Sequence, residues 1–138
     1  QRRKGKAGMK KTVTLTNRQI VNSHAGLSLL AGKSMATIPG FSIFKNKAAL
    51  TPHAKDYHEY RQQILKRHAL LDGRGNPVVQ DKQVLFETPE AEAAAVAELE
   101  VLVAIEVTVE IRTVALAELG GVEVEPEVLE ALEWMIEE

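Results

Sequence analysis

Gly32-Lys33-Ser34 brings together the residue types that close a phosphate-binding loop. Such a loop needs Gly-x-x-x-x-Gly-Lys-Ser/Thr directly after a strand, so that successive backbone amides wrap the phosphates. Position 27 is leucine here, and the nearest glycine, Gly26, comes one residue early. The intervening Leu27-Ser28-Leu29-Leu30 is apolar and helical in pattern, whereas a phosphate nest is an open turn. The triplet therefore reads as a helix C-terminus with a glycine stop.

Metal and acid–base chemistry fare no better. Of the four histidines, only His53 and His58 are neighbours, and five residues on a helix set them about 140° apart. Zinc needs three or four convergent ligands, so His24, His53, His58 and His68 read as surface residues of basic helices. The sequence has no cysteine, which removes disulfides, thiolate metal sites and a cysteine nucleophile. Ser23, Ser28, Ser34 and Ser42 lack a nucleophile-elbow pattern. Carboxylates are many, but paired catalytic acids need a pocket that separates their pKa values, and these fall on expected solvent faces. The expectation is a protein that is not an enzyme and holds no cofactor.

Charge is the feature left standing. Residues 1–82 carry sixteen Lys/Arg against four Asp/Glu, and residues 83–138 carry one arginine, Arg112, against fifteen Asp/Glu. These balances of +12 and −14 hide inside a net charge of −2. An asymmetry of this size bears on partners and self-association. Two candidate surfaces follow. Arg2, Arg3, Lys4, Lys6, Lys10 and Lys11 form a basic arm able to contact phosphates, joined by the helical face of Lys55, Arg61, Lys66 and Arg67. Against that reading, nucleic-acid binders add stacking rings, and aromatics are only 4% of the chain. The second surface is acidic: Glu127, Glu130, Glu133 and Glu137 on the last helix, suited to a basic protein partner. Glu137 and Glu138 at a helix C-terminus oppose the helix dipole, which calls for a cationic neighbour in this chain or another.

The elements that would position these residues are read from caps, turns and periodicity. Residues 1–11 have no large apolar residue but Met9 and should form a flexible arm. Met9 offers a start, which would make residues 1–8 a leader or tag; residues 12–138 are expected to form one globular domain. Thr12–Leu15 reads as a strand. Thr16-Asn17-Arg18-Gln19 has capping-box form, and the helix it opens should run to about Ala31 with Ile20, Leu27 and Leu30 inward. Ile38, Phe41, Phe44 and Ala48 recur at helical spacing, with Tyr57 and Tyr60 further along as core and boundary residues. Thr51-Pro52 is either a new start or a kink.

Asp72-Gly73-Arg74-Gly75-Asn76-Pro77 is a turn by composition, and Val84–Phe86 a short strand. Thr88-Pro89 starts a helix to about Ala104, with Val96, Leu99 and Val103 inward. Val107, Val109 and Ile111 alternate with Thr108, Glu110 and Arg112, as in a half-buried strand. Gly120-Gly121 turns the chain, and Pro126 opens a final helix with Leu129, Leu132 and Ile136 inside. The expected fold class is α+β, helix-dominated, with about four helices and a small antiparallel sheet.

The order of elements is similar to that of short, uncharacterised bacteriophage and prophage proteins. Thr14-Leu15-Thr16-Asn17-Arg18-Gln19-Ile20, the Asp72–Val79 turn, Val107–Ile111 and the acidic segment Val124–Glu133 carry the likeness. Thr51-Pro52 departs from it by interrupting what would there be one continuous helix. The resemblance implies a phage origin and a non-enzymatic accessory role, with no residue roles to carry over. The chain is thus expected to bind a host or phage macromolecule. Other readings are a head–tail or tail virion subunit, with oppositely charged halves joining copies, and a nucleic-acid binder using its arm. No apolar run approaches the roughly 20 residues of a membrane span, and a bacterial cytoplasmic or virion location is expected.

Overall fold

The computed structural model describes residues 8–137. The order is β1 (Lys10–Thr16), α1 (Asn17–Ala31), α2 (Thr37–His68), β2 (Val79–Gln80), β3 (Gln83–Val84), α3 (Pro89–Ala104), β4 (Glu106–Arg112), β5 (Val114–Ala115), α4 (Pro126–Ala131) and β6 (Ile136–Glu137). Single 3₁₀ turns at Leu116–Leu119 and Glu133–Met135 flank α4. The fold is α+β and helix-dominated. Contacts divide the chain into two compact units, one made of residues up to Ala54 and from Glu106 onward, the other of Lys55–Ile105.

The first unit is built on β1 and β4, antiparallel in register from Lys10 opposite Arg112 to Thr16 opposite Glu106. Alternation sends Val13, Leu15, Val107, Val109 and Ile111 inward, while the Thr14 and Thr108 hydroxyls meet at 3.2 Å on the outer side. Thr16 then turns strand into helix. Its hydroxyl accepts the Gln19 N–H at 3.2 Å and its own N–H donates to the Gln19 side-chain carbonyl at 2.8 Å. Ile20, Leu27 and Leu30 are fully buried, as their spacing requires. The helix stops at Gly32, and Lys33 N–H donates to the Leu30 carbonyl, so Gly32-Lys33-Ser34 is a helix end.

α2 has the expected helical period, but its recurring apolar residues do not turn inward. Ile38, Phe41 and Phe44 are exposed, at 60%, 49% and 63%, while Ser42, Ile43, Asn46 and Leu50 face the core. Asn46 explains the rotation. Its side-chain amide donates to the Arg112 carbonyl at 2.9 Å and accepts the Arg112 N–H at 2.7 Å. The amide thus completes β4 as a further peptide group would, and a polar residue outranks phenylalanine for a buried place. Helix α2 runs unbroken through Pro52. Thr51 Oγ1 donates back to the Lys47 carbonyl at 2.8 Å, and the His24 ring lies 2.9 Å from that hydroxyl.

The C-terminal segment also departs from expectation. The helix starting at Pro126 ends at Ala131, and β6 then pairs in parallel with β5, Val114 opposite Ile136 and Ala115 opposite Glu137. Leu132 and Met135 are fully buried, whereas Leu129 and Ile136 are half-buried. Helical spacing would set Leu132 and Met135 on nearly one face, so burial alone does not end the helix. The open backbone edge at Val114–Ala115 takes the last residues as a strand.

In the second unit, the end of α2 is followed by a turn, the β2–β3 hairpin and α3. Asp72 Oδ1 accepts the N–H groups of Arg74 at 2.8 Å and Asn76 at 3.0 Å, and Gly75 takes φ +81°. The expected strand at Val84–Phe86 shifts to Gln83–Val84, with Phe86 bridging to Ala69. Thr88 caps α3 by accepting the Ala91 N–H at 3.0 Å, with Pro89 in the first turn. Its inward residues are Ala95 and Leu102. Leu99 and Val103 are half-buried and Val96 is exposed, a phase other than the expected one. The four glutamates of α3 fall on all sides of an alanine-rich helix, so the sequence carries no signal to set its phase.

Candidate partner-binding surface

Helix α4 is pinned to α1 at a close approach. A methyl at Gly26 would lie 3.4 Å from Val128 Cγ1 and 3.6 Å from Leu132 Cγ. Ser23 Oγ, buried on α1, donates to the Ala131 carbonyl at 3.0 Å and accepts the Trp134 Nε1–H at 2.8 Å. Glu127, Glu130 and Glu133 are therefore carried by a fixed backbone, and all three are exposed. Among the described residues none of them makes an ion pair. Each side of this ridge has a groove of about 520 Å³ in which apolar side chains alternate with the glutamates. One is walled by Ala25, Leu29 and Val128, the other by Leu116, Leu129 and Ile136.

Glu137 does not belong to that ridge. It is half-buried in β6, and its carboxylate lies 3.9 Å from Lys11 Nζ. The helix-end carboxylate expected to need a cation has one in this chain, although it ends a strand.

The basic arm is divided. Arg2, Arg3, Lys4 and Lys6 lie outside the described residues. Lys10 and Lys11 open β1 rather than extend a flexible segment. Lys10 lines a polar groove of about 350 Å³ with Lys45, Asn46, Glu110 and Arg112. Beside it, the rings of Phe41 and Phe44 stack at 6.2 Å between centroids. The Arg112 guanidinium sits 5.4 Å over Phe41 and donates to the Gly8 carbonyl at 3.0 Å. The phase of α2 thus brings stacking rings to the surface, which composition had argued against.

One constellation in the second unit has no local signal in the sequence. Glu98 receives a hydrogen bond from Arg67, and its other oxygen lies 2.7 Å from His68 Nε2. The Arg67 hydrogen bond, then that of His68, holds the Glu98 carboxyl below the usual carboxylate range. Glu98 in turn raises Arg67. His68 is half-buried in this contact and is not a plain surface histidine. Tyr60, expected at the core or its boundary, is 46% exposed and lies under the Arg67 guanidinium at 5.9 Å. The residues are thirty positions apart, so only the antiparallel packing of α2 on α3 could reveal them.

Among the described residues no three His, Asp or Glu converge as a metal site. No described helix is long and apolar enough to cross a membrane. No protein family, curated protein or solved structure matches the chain, so the geometry of these surfaces carries the functional reading.

Proposed function

We propose that the protein acts by binding rather than catalysis, and that α4 docks a basic, amphipathic segment of a protein partner. One observation carries this reading: three exposed carboxylates without a described cationic neighbour stand on a ridge between two grooves with partly apolar walls. Lysine or arginine side chains of the partner meet Glu127, Glu130 and Glu133, and its apolar residues enter the grooves beside Leu29 and Leu116. Complementary charge of this kind raises the association rate and suppresses wrong partners. The phage origin implied by the sequence resemblance is part of the proposal, as a small accessory protein.

The triple reversal E127K/E130K/E133K tests it. Affinity for a basic amphipathic helical peptide, followed by fluorescence anisotropy, should fall about 10- to 100-fold and the salt dependence of binding should disappear. Unchanged affinity and salt slope would remove α4 as the contact. Detection of the protein in purified virions would favour the structural-subunit reading instead.

A second reading has its own observation, the exposed Phe41–Phe44 stack beside Arg112, Lys10 and Lys45. Rings stack bases and cations hold phosphates in single-stranded nucleic-acid sites. Salt-sensitive binding of oligo(dT) that drops about tenfold in Phe44→Ala would support it, and binding indifferent to that change would end it.

A further inference from the structure

We propose that the basic partner segment binds as an amphipathic helix of about three turns, laid along the trough between α1 and α4. This rests on the α4 reading and adds the conformation of the occupant and its seat. The groove beside Leu29 does not stand alone. It shares Asn22, Glu130 and Ala131 with a second groove of about 410 Å³, which Gln19, Glu133 and Trp134 also line. Together they make one trough, from Leu29 and Glu127 at one end to Gln19 and Trp134 at the other. From Gln19 to Leu29 the helix rises about 15 Å. Gly26 lets α4 come close to α1, so Val128 lines the trough from the far side. Trp134 turns its N–H inward to Ser23 Oγ, so the indole meets the trough through carbon atoms. The groove on the Leu116 side lies across α4 and shares only the α4-side glutamates with this trough.

Charge and backbone chemistry together indicate the occupant. Glu127, Glu130 and Glu133 form one lip, Glu123 and Glu125 lead into it, and α4 carries no cation. On the α1 side stand Arg18 and, just past the helix end, Lys33; neither makes an ion pair among the described residues. The five carboxylates outweigh those two cations, so the trough is negative, most strongly along α4. Both walls are helices, and they offer an extended peptide no strand edge to pair with. A helix arrives with its own backbone hydrogen bonds closed. Lying there, it sets lysines or arginines at i, i+3 or i+4, and i+7 against the acidic lip. The neighbouring row of apolar residues then faces Ala25, Leu29 and Val128. A contact of this length is at the low end of specific interfaces, so a micromolar dissociation constant is expected.

Trp134 is the single tryptophan of the chain and lines the trough, so its emission reports occupancy directly. The probe is a tryptophan-free Leu/Lys amphipathic helical peptide of about 18 residues, titrated into the full chain. Trp134 emission should shift on binding, and Leu29→Glu should weaken binding at least about tenfold. Leu116→Glu should change it less than about twofold. Both leucines are exposed, at 56% and 45%, so both variants should keep the native circular dichroism spectrum. A central proline, which breaks the peptide's helix, should also weaken binding at least about tenfold. Equal binding of the proline peptide overturns the helical occupant. A loss in Leu116→Glu as large as in Leu29→Glu, or a silent Trp134, overturns the α1–α4 seat; the α4 reading then stands if E127K/E130K/E133K still weakens binding. Binding indifferent to that triple reversal ends the α4 reading and this proposal with it. Absence of binding at about 1 mM peptide does the same.

Discussion

Thirteen buried apolar residues of the first unit form a single cluster from Leu15 to Met135, whereas the second unit buries four among the described residues. The two regions are held by different forces. The first combines a strand pair, three helices and the Asn46 amide into a closed core, with polar groups satisfied by name. The second is a helical hairpin held at its surface by the Glu98–Arg67–His68 contact, the Asp72 turn and a two-stranded hairpin. Exposed ion pairs contribute little, with a median below about 1 kcal/mol. The apolar effect scales with area removed from water, at about 25 cal/mol per Å². The difference teaches that this chain concentrates its buried core in one unit, while both units keep apolar side chains at the surface.

The sharpest break of that contrast is a cavity in the first unit. Leu27→Ala, fully buried, should cost about 2–5 kcal/mol in urea unfolding followed by Trp134 emission. Val101→Ala, in the second unit, should cost less than about 0.5 kcal/mol when unfolding is followed by the helical circular dichroism signal. Equal costs would mean that the second unit is as well packed as the first.

Next in size is the polar plug of that core. Asn46→Ala leaves the Arg112 N–H and carbonyl without their partner, at a cost of about 2–3 kcal/mol. Amide exchange at Arg112 should accelerate with it. A change below about 0.5 kcal/mol would mean that water replaces the amide and that this end of β4 is open.

The β2–β3 turn should respond in the other direction. Asp81 and Lys82 hold φ of 54° and 65°, the left-handed region that favours Asn and Gly. The pair D81N/K82G should stabilise the hairpin by about 0.5–1 kcal/mol, read as slower exchange of the Leu85 amide, which donates to Val78. Faster exchange would show that the turn is held by something other than its own backbone preference.

Acid should distinguish the units with the smallest effect. Glu98 is depressed chiefly by Arg67, and Asp72 by the backbone N–H groups of Asn76 and Arg74. A carboxyl depressed in the folded state gives stability fully present above its unfolded value, about pH 4. That stability fades as pH falls through the lower folded value. Exchange from α3 should therefore quicken below about pH 4, and Glu98→Gln should remove part of that dependence while leaving α1 unaffected. An identical acid response in Glu98→Gln would leave the ion pair without a part in holding the hairpin.

Much of this molecule was legible where a signal closes within a few residues. Thr16 and Gln19 cap each other, Thr88 and Pro89 start α3, and Asp72 folds its turn onto Arg74 and Asn76. The alternation at Val107–Ile111 marks β4 for the same reason, since a strand shows its two faces to any reader of the pattern. Of the candidate surface, Glu127, Glu130 and Glu133 were visible as exposed acids; Glu137 was placed on a helix and belongs to a strand. Tertiary structure decided what depends on distant partners. Asn46 turned α2 so that Phe41 and Phe44 face outward, because two unsatisfied peptide groups at Arg112 cost more than two exposed rings. The open edge at Val114 drew Ile136 and Glu137 into a strand, and antiparallel helices brought His68 to Glu98. Local sequence determined where the elements begin and end. Which face each one buries was a competition among residues far apart in the chain, decided only when their backbone hydrogen bonds had to be satisfied together.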